Sequence, residues 1–179
     1  MGILDFVTDD KLRKTLEISL EYIFRLHNRS VDETESSFYK EETCRVIILY
    51  VISFIEAILL FIYRTRGDKM ERFEYKYIQH LPSEYKHKGR INHPVVIAVQ
   101  EKIERKDYEI GLNDLVKFFE NKKLLLSETA TNILSLNDVR NTFHFSKARN
   151  QVCDIERVEE ALSLLVYIID KAPRALRKN

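Results

Sequence analysis

One apolar run, Val46–Tyr63, constrains the fold of this 179-residue chain more than any other feature. Its 18 residues are apolar apart from Ser53 and Glu56. That length lies at the lower limit for a membrane span, and a central carboxylate costs about 2.5–3.5 kcal/mol on insertion scales. The alternative is a central helix that is apolar all round because other helices bury it on every side. We favour the central helix and expect no membrane association.

The composition favours long helices over many short strands, because 4 Gly and 3 Pro leave few residues suited to turns. Hydrophobic residues make up 45% of the chain, which is enough for a real core. We therefore predict an all-α fold, a compact up-and-down bundle of about five or six helices that occupies residues 1–179 as one domain. Cys44 and Cys153 imply no disulfide framework, and a secretory leader pattern is lacking, so we expect a cytoplasmic protein.

Helical spacing and end signals predict three helices in the first half of the chain. They are a first helix from about Asp10 to Asn28, a long second one from the acidic residues 31–42 to Arg66, and a short third one over about 69–80. Asp9 and Asp10 lie where the N-cap and the first turn of the first helix favour acidic residues. Gly67 is the expected C-cap of the second helix. We predict a loop over residues 82–93. The apolar stretch after Pro94 is compatible with a helix or a short strand, and we favour a helix to about Lys106.

Three further helices are predicted after Gly111. Asn113 is the expected cap of a short helix through Glu120. Ser127 is the expected cap of a helix over about 127–145, here called the motif helix. Asp154 is the expected cap of a closing helix over about 154–172, with Pro173 as its stop.

The motif helix carries Val139-Arg140-Asn141-Thr142-Phe143-His144-Phe145, the segment with the clearest chemical potential. Arg140 and His144 are four residues apart, which on a helix places them on one face, about one turn from each other. On a helical wheel both flank the apolar stripe, with Asn137 beside His144 and Asn141 nearer to solvent. An arginine next to a titratable histidine, both partly covered by a neighbouring surface, is suited to chemistry on a phosphodiester.

These residues resemble the motif of the HEPN superfamily: an Arg-Asn pair followed by a His, late in the penultimate helix of a compact helical domain. The spacing departs from the usual family pattern, since three residues separate Arg140 from His144 where four to six are typical. The resemblance implies a helical bundle that forms a homodimer with the motif helices at the interface. Many members are metal-independent endoribonucleases in toxin–antitoxin, phage-defence and CRISPR systems.

The resemblance implies RNA cleavage by attack of the substrate's own 2′-OH. His144 would act as general base or acid, Arg140 would neutralise charge developing on the phosphoryl oxygens, and Asn141 would orient the phosphate or the imidazole. Lys147 and Arg149 would hold flanking phosphates. Neither a metal nor another cofactor is implied.

Glu56 in the apolar second helix needs a partner if it is buried. The resemblance implies that the second helix packs against the motif helix, so Arg140 is our first choice. The alternatives are another arginine or an exposed position.

Residues 64–106 hold eleven Lys/Arg against six Asp/Glu, although the net charge of the chain is +1. Within them, Lys86, Lys88 and Arg90 accompany several tyrosines and could contact RNA, or they could belong to a solvated loop. His80, His87 and His93 match no compact metal-ligand spacing.

Two functions remain open from the sequence. One is a HEPN-type endoribonuclease whose partner is RNA, in a defence setting or with an antitoxin. The other is a catalytically silent HEPN-type binding module that partners a nucleotidyltransferase or another defence protein.

Overall fold

The computed structural model describes residues 2–80, 96–142 and 153–177 and is mostly helical in that part. The described elements are, in chain order, α1 (Asp10–Ser30), α2 (Ser37–Thr65), β1 (Glu71–His80), β2 (Val96–Glu104), a 3₁₀ turn (Asp107–Glu109), α3 (Leu112–Asn121), α4 (Ser127–Asn141) and α5 (Ile155–Ala175). They fall into a helical unit, Met1–Asp68 with Gly111–Asn179, and a hairpin unit, Lys69–Ile110. The assignment of residues 1–179 to one HEPN-like domain stays a prediction.

Helix α2 is the core of the helical unit. It packs against α1, α3, α4 and α5. Six side chains in its central part have no solvent exposure: Ile47, Ile48, Val51, Ile52, Ile55 and Ile58. Burial on several sides explains why this segment lacks the polar face of an ordinary surface helix.

Helix α2 is also the one helix in the described ranges that is long and apolar enough to cross a membrane. Within the helical unit, 61% of its most apolar 18-residue window is buried. The core helix of a soluble protein passes the same test of length and composition. Because α2 packs against four other helices, we interpret it as a core helix rather than as a membrane span.

Several helix ends lie where the sequence places them. The carboxylate of Asp9 accepts hydrogen bonds from the backbone N–H groups of Lys11 and Leu12, both at 3.0 Å. Asp154 caps α5 in the same way, accepting from the N–H of Arg157 at 3.0 Å. After α2, Gly67 adopts a φ of 62°, the left-handed conformation that glycine adopts without strain.

Three predicted end signals in the second half are wrong. Pro173 lies inside α5, which continues to Ala175, so it does not stop the helix. Asn113 is not a cap, because Gly111 is the N-cap of α3 and Asn113 lies in its first turn. Ser127 is the first residue of α4 rather than its cap, which is Leu126. Helix α4 ends at Asn141 with Thr142 as C-cap, and the predicted continuation over 143–145 lies outside the described residues.

The all-α prediction is wrong for residues 71–80 and 96–104. The predicted short helix over 69–80 is strand β1, and the predicted helix after Pro94 is strand β2. The two strands pair antiparallel, with Arg72 opposite Ile103 and Tyr75 opposite Gln100, and the register shifts between Tyr77 and Gln79. Aromatic and β-branched residues fit this pleated backbone better than a helix.

Truncation of Ile55 to Ala should lower the free energy of unfolding by about 2–5 kcal/mol, because it leaves a cavity in the core of the helical unit. Urea unfolding of the detergent-free protein measures this. Ser53→Ala is the matched control on the same helix, since Ser53 is exposed, and it should change stability by less than about 0.5 kcal/mol. Equal stability of both variants would contradict the assignment of α2 as the core.

Candidate active site

The described residues of the predicted motif meet at one cleft in the helical unit. Arg140 and Asn141 come from the last turn of α4, Asn137 from one turn earlier, and Glu56 from the middle of α2. The cleft has a volume of about 540 Å³ and is completed by the first turn of α3, Gly111 to Asp114. The sequence therefore anticipated four residues of this cleft, although two of them are 84 positions apart along the chain.

The predicted pairing of Glu56 with Arg140 is confirmed. Nη1 of Arg140 donates a hydrogen bond to Oε2 of Glu56 at 2.7 Å. The Arg140 side chain is 32% exposed and that of Glu56 is 26% exposed, so the pair is half-buried, between the buried and the exposed positions considered for Glu56. Because water reaches both groups, the attraction between them is weaker than that of an ion pair in an interior without water.

The ion pair orients the guanidinium. An arginine carries five N–H donors, and one of them binds Glu56. The half-exposed side chain can present further donors to an anion in the cleft, and a planar guanidinium binds phosphate oxygens two at a time. A fixed guanidinium loses less conformational freedom when it binds a ligand than a free one does.

Asn137 and Asn113 join α4 to α3 across the cleft. Nδ2 of the buried Asn137 donates to Oδ1 of Asn113 at 3.3 Å. Asn113 itself is exposed. The sequence predicted only a capping role for Asn113. The hydrogen bond between Asn137 and Asn113 shows that Asn113 lies at the cleft. Its position there depends on the packing of α3 on α4.

The first turn of α3 contributes electrostatically to the same cleft. The carboxylate of Asp114 accepts from the N–H of Gly111 at 3.2 Å, a capping arrangement that occupies one backbone donor. The N–H groups of Asp114 and Leu115 donate to the carbonyl oxygen of Gly111 at 3.0 and 3.1 Å, and the N-terminus of the helix carries a partial positive charge. Glu56 and Asp114 carry two negative charges against the one positive charge of Arg140, so the described lining of the cleft is formally acidic rather than basic.

The remaining predicted site residues lie outside the described ranges. They are His144, Lys147 and Arg149 after α4, and Lys86, Lys88 and Arg90 between β1 and β2. Their roles stay predictions. Within residues 2–80, 96–142 and 153–177, no three His, Cys, Asp or Glu side chains are grouped as metal ligands.

Both cysteines lie buried in the helical unit, where they line a second pocket with a volume of about 440 Å³. Burial raises the pKa of the Cys153 thiol to about 12 and also raises the pKa of Cys44. Because the thiolate is the nucleophilic form, these thiols are not suited to covalent catalysis near neutral pH.

Alkylation by iodoacetamide near about pH 8 should therefore be far slower for the folded protein than for the protein in denaturant, since a thiol with a raised pKa is almost wholly protonated there. Mass spectrometry of the two cysteine-containing peptides measures the rates. Equal rates for Cys153 in the folded and unfolded protein would contradict its burial.

A double-mutant cycle with Glu56→Ala and Arg140→Ala should give a coupling energy of about 1–2 kcal/mol, between the values for exposed and buried pairs. Chemical denaturation of the four proteins measures it. Glu21 and Arg25 on α1 form the matched exposed pair, with side chains 64% and 75% exposed, and their cycle should give less than about 0.5 kcal/mol. A coupling for Glu56 and Arg140 no larger than this control would mean that the pair is not held in solution.

No protein-family model, curated protein or solved structure matches this chain. The resemblance to the HEPN superfamily therefore depends on the motif residues, on the helical content and on the pairing of α2 with α4.

Proposed function

We propose that this protein is a metal-independent endoribonuclease of the HEPN type, which acts in the cytoplasm in a defence or toxin–antitoxin setting. The observation that carries the proposal is the position of Arg140. Its guanidinium is anchored by Glu56 at 2.7 Å beside a cleft of about 540 Å³, four residues before His144 in the chain. An oriented arginine at a solvent-accessible cleft suits a phosphate-bearing ligand.

In the proposed reaction, His144 removes the proton from the 2′-OH of the ribose. The resulting oxygen attacks the adjacent phosphorus, and the bond from phosphorus to the 5′-oxygen of the next nucleotide breaks. That leaving oxygen takes up a proton, from the second histidine of a homodimer or from water. The products are a 2′,3′-cyclic phosphate and a free 5′-OH.

The other residues of the site stabilise the transition state or hold the substrate. Arg140 offsets the negative charge that accumulates on the phosphoryl oxygens, and the α3 N-terminus adds a partial positive charge at the same cleft. Asn141 orients the phosphate or the imidazole. Lys147, Arg149 and the basic residues Lys86, Lys88 and Arg90 bind flanking phosphates and release counterions.

A homodimer with α4 of each copy at its interface belongs to this proposal. Arg140 and Asn141 are half-buried in the single chain, so a second copy can cover them further. Such a cover would exclude water and strengthen the interaction of Arg140 with a phosphate.

Cleavage of total RNA by the purified protein should persist in EDTA and yield 2′,3′-cyclic phosphate ends. His144→Ala should lower the rate by about 10²–10⁴-fold, the usual contribution of a general acid or base. Arg140→Ala should lower it by about 10²–10³-fold, as for a lost electrostatic donor. Mapping of 3′ and 5′ ends, with rates from labelled RNA, measures both.

Two further variants separate charge from geometry. Arg140→Lys keeps the charge but loses the planar bidentate donor, so it should stay strongly impaired. Arg25→Ala, which removes an exposed arginine on α1, is the matched control and should cleave like wild type. A requirement for a divalent metal, or full activity of His144→Ala, would contradict the proposed mechanism.

The second candidate function is the catalytically silent HEPN-type module that binds a nucleotidyltransferase or another defence protein. The observation that favours it is the short separation of Arg140 and His144 in the chain. Folded wild-type protein that cleaves no RNA under any of these conditions would support this candidate over the nuclease.

A further inference from the structure

The hairpin unit exposes both faces and both edges of its strands. In the described part of the chain its sheet consists of β1 and β2 alone, so each strand has an outer edge with no neighbouring strand. A two-stranded hairpin is marginally stable in water, and an open strand edge is a template for another strand. This unit is therefore suited to a partner that adds a strand.

Strand β1 displays three aromatic side chains in one row. Phe73, Tyr75 and Tyr77 are 61%, 71% and 58% exposed. They alternate along the strand, so they share one face and lie about 6.8 Å apart from one to the next. An exposed apolar row of this kind marks an interaction surface.

The sequence around Tyr75 is complementary to itself when it runs antiparallel. If two copies of β1 pair with Tyr75 opposite Tyr75, then Glu74 of each copy lies opposite Lys76 of the other, and Phe73 lies opposite Tyr77. The two charged pairs lie on one face and the aromatic pairs on the other. Opposite charges and aromatic residues at directly facing positions are the pairs that stabilise antiparallel strands.

Neighbouring registers lack this complementarity. Pairing centred on Glu74 places Glu74 opposite its own copy and Arg72 opposite Lys76, so like charges face each other. Pairing centred on Lys76 places the two Lys76 ammonium groups opposite each other. Like charges at facing positions are destabilising, so the charge pattern selects the register centred on Tyr75.

The charges of the two strands themselves favour a second copy over a nucleic acid at the edge of β1. The described basic side chains of the two strands pair with acids of the same unit: Lys76 with Glu101, Lys102 with Glu71, and Arg72 with Glu74 and Glu109. A surface whose cations are already neutralised gains little from phosphates. An ammonium has three donors, so Lys76 can keep Glu101 and also bind Glu74 of the partner.

We propose that two copies of this chain associate through β1, antiparallel and centred on Tyr75, to form a four-stranded sheet with a continuous aromatic row. This interface uses no residue of the cleft and is separate from the α4 interface of the proposed function, so a chain that uses both interfaces would assemble beyond a dimer.

Charge variants of the full-length protein test the register. Sedimentation velocity over a range of concentrations should show that the wild type self-associates, as a dimer through β1 alone or as a larger assembly if the α4 interface also forms. Glu74→Lys and Lys76→Glu should each weaken the dimer by at least about tenfold in Kd, because each creates two facing pairs of like charge. The double variant E74K/K76E should restore the dimer, since its charges are exchanged but still complementary.

A mixture of the two single variants is the sharpest test. Glu74→Lys has lysine at both positions 74 and 76, and Lys76→Glu has glutamate at both. An equimolar mixture should therefore recover the β1 interface, which neither variant forms alone. Recovery in the mixture also shows that both variants are folded. Asp107→Lys, a charge change in the 3₁₀ turn outside β1, is the control and should leave the dimer unchanged.

Three results would overturn the proposal. One is a wild-type monomer at all concentrations. Another is self-association that both single variants retain at the strength and size of the wild type, which would leave the α4 interface as the only one. The third is a monomer that binds single-stranded RNA and loses that binding in Tyr75→Ala, which would make the aromatic row a base-stacking surface.

Discussion

The burial of α2 is the constraint on which the helical unit depends. A helix that is apolar over most of its surface must be covered on several sides, and α1, α3, α4 and α5 together supply that cover. Glu56 interrupts the apolar surface, and a carboxylate at such a position needs a cation. Arg140 on α4 provides it, so the packing of the core and the geometry of the cleft are coupled through one ion pair.

This coupling has a consequence for the site. A half-buried pair contributes little net stability, since desolvation offsets most of the attraction. Its effect is to restrict the rotamers of Arg140 at the mouth of the cleft. Buried Asn137 and exposed Asn113 add a second link, from α4 to α3. A site held by three helices of one unit is rigid enough to position a phosphate, which the proposed chemistry requires.

The hairpin unit is stabilised by interactions different from those of the helical unit. Its strands have no buried face within the described residues, so their stability depends on cross-strand pairs such as Lys76 with Glu101. Residues 72–77 alternate charged and aromatic side chains with the period of two that is typical of a strand, so a local signal was present that the helix prediction overlooked. The partner of β1 was not encoded locally, because its residues pair with residues 16 to 33 positions away.

The sequence by itself determined the local features: the long apolar helix, the end signals at Asp9, Gly67 and Asp154, and the need of Glu56 for a basic partner. These follow from side-chain hydrogen bonding, backbone conformation and the cost of burying charge, which depend on neighbouring residues. The tertiary structure decided the rest. It placed Asn113 and the α3 N-terminus at the cleft, left the ion pair half-exposed, and made a hairpin of residues 71–80 and 96–104. Each of these depends on how distant segments pack, and packing is a property of the whole chain.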